Sequence, residues 1–145
     1  MKKGDRIEGY VVKYDFPNIG SVEVEEDGEK QYIKIKNAIL GQKVAGTINK
    51  KKHGLLEARL EEVIERAPGE TTDCCPHFNE CGGCTYQTFP YEEQLKIKEG
   101  QLYKLLKNAL GDNGKDLEDA YEGIIASPDK DAYRKSRDIT NCRIF

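Results

Sequence analysis

Between Arg6 and Val63 apolar and polar side chains alternate with a period of two, punctuated by Gly, Pro, Asn and Asp. That period puts successive side chains on opposite faces of a strand, so five half-buried strands are expected. They cover residues 6–14, 20–25, 30–35, 43–49 and 55 to about 63. Pro17-Asn18 and Asp27-Gly28 are turn signals, and Leu40-Gly41-Gln42 interrupts the chain before the fourth strand. The run Lys50-Lys51-Lys52-His53-Gly54 is expected as the turn into the fifth. Beyond Pro90 the period becomes helical. Leu95, Leu102, Leu105, Leu106 and Ala109 form an apolar stripe on a helix from Tyr91 to about Leu110, packing most simply against the neighbouring loop or the strands. Pro90 suits the helix start, Glu92 and Glu93 its positive end, and Gly111 its stop.

Five short strands joined by tight turns predict a small antiparallel barrel of the oligonucleotide-binding type, because closure removes exposed sheet edges. Gly9, Gly20, Gly41, Gly46 and Gly54 mark expected bends and bulges. The predicted class is α+β, mainly β. The barrel occupies residues 1–64 and a linker 65–73, rich in charge and broken by Pro68-Gly69. A cysteine-rich loop and the helix fill 74–111. Residues 112–145 begin a further portion, loose over 112–119, with a strand expected over 121–126 before Ser127-Pro128.

Charge and composition narrow the function. The chain has 145 residues, 34% charged and 37% hydrophobic, which implies a small core under a strongly solvated surface. No apolar run approaches the roughly 20 residues that span a bilayer, and no secretory signal precedes the strands, so a cytoplasmic protein without a membrane partner is expected. A net charge of −3 does not advertise nucleic-acid binding; any such surface must come from a local basic patch. The dense basic run is Lys50, Lys51 and Lys52. On a hairpin tip it is simply a solvated charge run, and on a small barrel it is a candidate phosphate contact. Tyr10, Tyr14 and Tyr32 read first as core residues, with base stacking as the alternative.

The chemistry lies in Cys75-Pro76-His77-Phe78-Asn79-Glu80-Cys81-Gly82-Gly83-Cys84. Three thiols converge on one centre only if the backbone doubles back, which Pro76 and the Gly82-Gly83 pair permit. A Cys-x-x-Cys pair with a third cysteine upstream suits zinc or an iron–sulfur cluster. Zinc needs a fourth ligand, and His77 lies at a spacing unlike zinc-finger arrangements, so a cluster fits better. Disulfides would leave one of five cysteines over and need an oxidising compartment.

These motifs resemble the N-terminal part of the bacterial RNA uracil-5-methyltransferases that modify 23S ribosomal RNA or transfer RNA. The resemblance rests on Cys75-Pro76-His77-Phe78 leading to Cys81-Gly82-Gly83-Cys84, and on the trailing Tyr91-x-x-Gln94-Leu95-x-x-Lys98. Leu40-Gly41-Gln42-Lys43-Val44, Lys50-Lys51-Lys52, Ser127-Pro128 and Tyr133-Arg134 also take part. It implies an RNA-binding TRAM barrel followed by a 4Fe–4S cluster on Cys75, Cys81 and Cys84. The family's fourth ligand is a cysteine further downstream than Cys142; here the fourth ligand is either absent, leaving an exposed centre, or supplied by Cys142, Cys74 or a non-protein thiol. The family's S-adenosylmethionine site and catalytic groups lie on a Rossmann-like domain. Nothing in these residues supplies a Gly-rich loop for it, so the chain is expected to be inactive alone, with no catalytic residue. Its expected partner is RNA, 23S rRNA foremost, and no DNA. A stand-alone RNA-binding protein and a zinc or redox module are the competing functions.

Overall fold

The computed structural model describes residues 1–26, 28–52, 54–72, 75–76, 78, 84–111 and 115–129, the side chains of 115 and 116 excepted. It divides into two compact units, Met1–Glu70 and Thr71–Phe145. The first unit contains β1 (Arg6–Asp15), β2 (Ile19–Glu26), β3 (Glu29–Lys36), β4 (Lys43–Lys52) and β5 (Leu55–Glu65).

The five strands close into a barrel in the order β1-β2-β3-β5-β4, with β4 returning to β1. Four of the pairings are antiparallel. The closing one is not: β3 and β5 run parallel, in register over Ile33↔Leu56, Lys34↔Glu57 and Ile35↔Ala58. This seam is the shortest in the barrel, whereas β4 and β5 pair from Lys43↔Glu65 to Lys52↔Leu55. Alternation along each strand builds the core, where Ile7, Val11, Val22, Ile33, Ile35, Val44, Ile48, Leu56 and Ala58 meet.

Two corrections follow from register. The lysine run is not a turn: Lys50, Lys51 and Lys52 are the last residues of β4, paired with Glu57, Leu56 and Leu55. The strand extends because opposite residues on β5 continue the ladder up to Gly54, whose φ of +78° suits glycine in the tight connection. Nor does the expectation of bends and bulges cover all that the glycines do, although Gly46 does stand at a register shift between β4 and β5. A Cβ on Gly9 would lie 2.6 Å from the Glu23 carbonyl oxygen, and one on Gly46 would lie 2.5 Å from that of Arg59. These positions are glycine because neighbouring backbone occupies the space of a side chain.

After β5 the chain stays on the first unit as far as Glu70. Ala67 is buried, its N–H donates to Glu70 Oε2 at 2.9 Å, and the Glu70 N–H donates to the Ala67 carbonyl at 3.0 Å.

The second unit holds α1 (Tyr91–Leu110) and the short α2 (Lys115–Ala120). Tyr86, Thr88 and Phe89 are buried ahead of α1. The apolar stripe on α1 is not its packed face: Leu102 is 44% and Leu105 43% exposed. The residue α1 buries is Gln101, whose Nε2 donates to the Tyr86 hydroxyl at 3.4 Å. A polar contact to a buried phenol fixes the orientation of that turn. Two further expectations change: residues 115–120 are helical where a loose segment was expected, and 121–126 form no strand among the described residues. An isolated apolar run needs a partner strand to become sheet, and among the described residues these pair with none. Tyr121 instead packs edge-on against Tyr103, with ring centroids 5.5 Å apart.

Candidate nucleic-acid interface and thiol loop

The three lysines read from the sequence do not form one cluster. Alternation on β4 places Lys50 and Lys52 on one face and Lys51 on the other. Lys50 Nζ lies 3.7 Å from Glu57, across the β4–β5 ladder. Lys51 Nζ donates to the Met1 carbonyl at 3.4 Å, tying the N-terminal residue to the end of β4. Lys52 is exposed and has no ion-pair partner among the described residues. Only Lys50 joins a larger basic feature.

That feature is a cleft of about 360 Å³ where β3 and β5 part beyond their three paired rungs. Lys34 and Lys36 come from β3, Arg59 from β5 and Lys50 from β4, with Glu57 the one acidic group lining it. Asn37 and Asn49 add amides, and the apolar floor includes Ala58 and Leu60. The sequence reading passed over Lys34, Lys36 and Arg59. Lys34-Ile35-Lys36 carried a signal, since its isoleucines point inward and so its lysines must point outward. What brings Arg59 opposite them is the parallel register of β3 and β5, which no local pattern encodes.

Apart from Glu57, the carboxylates of β1 and β5 lie elsewhere. Lys43 lies 3.1 Å from Glu8 and 3.5 Å from Glu65, Arg6 lies 3.8 Å from Glu62, and the Thr47 hydroxyl donates to Glu61 at 2.7 Å. These groups sit over the β1–β4–β5 side. Residues 1–70 contain 13 Lys and Arg and 13 Asp and Glu, so the positive cleft reflects sorting of charge within a balanced unit.

The tyrosines are likewise not core, contrary to the simpler expectation for Tyr10 and Tyr32. Tyr10 is 49% and Tyr32 44% exposed, because Ile33 and Val11 take the adjacent inward positions. The Tyr32 ring lies under Lys13 Nζ, 4.3 Å from its centroid, and its hydroxyl donates to Glu23 at 3.0 Å. Tyr10 donates to Glu65 at 2.9 Å, beneath Lys43 at 5.8 Å. The hydrogen bond to Glu65 raises the Tyr10 pKa, and the hydrogen bond to Glu23 raises that of Tyr32. Lys30, then Tyr32, bond the Glu23 carboxylate and lower its pKa. Half-buried Tyr14 donates to Asn18 at 3.0 Å and is the least available ring for stacking.

Of the three cysteines in the thiol motif, Cys75 and Cys84 are described; Cys81 lies outside the described residues, as do Cys74, His77 and Cys142. Cys75 and Cys84 are free and exposed. The Phe78 N–H donates to the Cys75 carbonyl at 2.9 Å, closing a turn directly after the first thiol. The Cys75 N–H donates to Gln87 Oε1 at 3.3 Å, which links that turn to the residues following Cys84. Free, accessible thiols on a tight turn are the donor set a soft metal centre takes. Among the described residues no three His, Cys, Asp or Glu side chains converge.

The motif residues on α1 act as supports. Gln94 Nε2 donates to the Phe89 carbonyl at 3.0 Å, and Lys98 Nζ lies 6.0 Å from the Tyr86 ring centroid. The Tyr91 hydroxyl accepts from the Ser127 N–H at 2.7 Å. They hold the Tyr86–Phe89 turn and the Ser127 segment onto the helix.

No family model matches the chain. Curated relatives do. An uncharacterized RNA methyltransferase of Caldanaerobacter subterraneus subsp. tengcongensis is 41% identical over 140 residues, 97% of this chain and 29% of that protein. Another, from Clostridium acetobutylicum, is 36% identical over the same coverage. The 23S rRNA (uracil(1939)-C(5))-methyltransferase RlmD of Alkalilimnicola ehrlichii is 35% identical over 68 residues, 47% of this chain and 15% of that protein. The chain thus spans less than a third of the length of the relatives it matches.

Proposed function

The chain belongs to the bacterial RNA uracil-5-methyltransferase family, and from that premise we propose that it is the portion that grips RNA and carries the iron–sulfur centre. The observation that carries this is the 41% identity running through both the barrel and the thiol loop. The grouping of Lys34, Lys36, Lys50 and Arg59 on one side of a balanced barrel supports an RNA-facing surface. Since RlmD relatives are named for 23S rRNA, that RNA is the first substrate to try.

In this reading Cys75, Cys81 and Cys84 hold a 4Fe–4S cluster. The cluster's contribution is structural: thiolate–iron bonds tie the loop together. Cys75 and Cys84 supply the exposed thiols, and Gln87 steadies the first turn. This chain supplies no catalytic group. Methyl transfer from S-adenosylmethionine belongs to the remainder of the family's length, and this portion positions the RNA for it, in the cytoplasm.

The test is anaerobic purification of the chain and of Cys81→Ser, with iron, sulfide and zinc measured and a 23S rRNA segment titrated against each. Iron and sulfide near about four each, lost in the variant, are expected. Stoichiometric zinc without iron overturns the cluster, and absence of RNA binding overturns the RNA-gripping role.

A further inference from the structure

The lysine run does not explain the basic cleft, which draws its cations from three strands. Lys34, Lys36 and Arg59, like Lys13, Lys51 and Lys52, have no carboxylate within 4 Å among the described residues, and of these six only the first three line the cleft. Lys30, Lys43 and Lys50 are each within 4 Å of a carboxylate, and Arg6 pairs with Glu62. The three therefore present exposed, unneutralised positive charge along one concave site, which an anion in the cleft would neutralise.

We propose that this cleft is a phosphate track for single-stranded RNA, in which Lys34, Lys36 and Arg59 contact the sugar–phosphate chain. The proposal deepens the RNA-gripping reading above and rests on it. Lys34 and Lys36 stand two residues apart on the same face, roughly 7 Å along the strand, a spacing commensurate with successive phosphates of an extended chain. Arg59 faces them from β5 and closes the track from its other wall. Among the described residues no aromatic ring lines the cleft, so these residues grip backbone without reading bases. Asn37 and Asn49 supply donors and acceptors for 2′-hydroxyls at its ends. A flexible single strand follows a concave site of this size more readily than a rigid duplex does.

The experiment measures affinity of the full chain for a short fluorescein-labelled oligouridylate across a salt series. Single variants Lys34→Ala, Lys36→Ala and Arg59→Ala are each expected to reduce the log–log salt slope by about 0.7, the value for one single-strand phosphate contact. The triple variant is expected to lose about 2 in slope and at least about tenfold in affinity at low salt. Lys96→Ala/Lys104→Ala/Lys107→Ala removes the same charge from α1 and is expected to leave the slope unchanged. Duplex of equal length is expected to bind more weakly. A cleft triple variant that keeps the wild-type slope, an α1 triple variant that loses as much, or tighter binding of duplex overturns the track while leaving RNA binding intact. A wild-type chain that binds no oligouridylate overturns both the track and the RNA-gripping reading. If the triple variant fails to fold, the single-variant slopes decide.

Discussion

The side-chain amide of Gln42 donates to both carboxylate oxygens of Glu70, at 3.0 and 3.1 Å, across 28 residues of sequence. Gln42 is 4% exposed and the Glu70 side chain 3%, so neither finds a substitute in water. Gln42 Oε1 also accepts the Ile39 N–H at 2.9 Å. One amide therefore ties the segment between β3 and β4 to the segment that follows β5. Gln42→Ala is expected to destabilise the chain by about 1–3 kcal/mol, because it leaves a buried carboxylate short of a donor. Gln42→Glu, which places two carboxylates together, is expected to cost more. Urea unfolding of both variants checks the order, and equal midpoints for wild type and Gln42→Ala would refute it.

Gly46→Ala is expected to cost about 1–3 kcal/mol, because the new methyl meets the Arg59 carbonyl across the β4–β5 ladder. Gly54→Ala meets no atom within 4 Å, and only its positive φ opposes the change, at about 1 kcal/mol. Thermal melting of the two variants should therefore rank Gly54→Ala closer to wild type.

The outer face of the barrel makes stability depend on pH at both ends. The Glu23 carboxyl is held below its ordinary range by Lys30 first and Tyr32 second. Its contribution is present above the ordinary glutamate value and is lost as pH falls through the lowered one. Tyr10, Tyr32, Lys30 and Lys43 are all raised, each chiefly by a hydrogen bond to a glutamate. Their contribution is full below the ordinary tyrosine and lysine values and is lost as pH rises through the raised ones. Unfolding midpoints against pH should show Glu23→Gln flattening the acid limb and also part of the alkaline limb, since it removes the partner of Lys30 and Tyr32, and Tyr10→Phe flattening the alkaline limb alone.

Exposure of Cys75 and Cys84 predicts rapid reaction of both with a thiol reagent in metal-free protein. After anaerobic reconstitution with iron and sulfide, mass mapping should find both protected. Labelling unchanged by reconstitution would remove them from the ligand set.

Much of this architecture was legible in the chain. The alternation Tyr32-Ile33-Lys34-Ile35-Lys36 fixes a strand, and Tyr91–Leu110 carries its own start, stop and charge bias. The same alternation also places Tyr32 outside, and weighing aromatic residues as core by type missed what the period said. Other features required the assembled fold. Gly46 reads as a bend or bulge in sequence and does stand at a register shift against β5, but its close approach to Arg59 on that other strand is not encoded locally. The α1 stripe looks like a packing face, yet Gln101 is buried and Leu102 and Leu105 are not, because Tyr86 supplies a polar partner. The cleft was least legible of all: its walls lie on strands separated by turns and meet only through one parallel pairing. Of the cysteine motif, the outer two thiols are placed, and Cys81 lies outside the described residues.

Sorting of charge in a balanced barrel has a kinetic consequence. A body with equal numbers of cations and anions feels little net pull from a distant polyanion. With Lys34, Lys36 and Arg59 toward one seam and Glu8, Glu62 and Glu65 over another side, it feels a torque instead. In the RNA-gripping reading proposed above, approach to an RNA strand would rotate the barrel before capture, turning the side of Glu8, Glu62 and Glu65 away and shortening the search for the productive orientation. This selects among encounters more than it multiplies them, and it fades once salt brings the screening length below the width of the barrel.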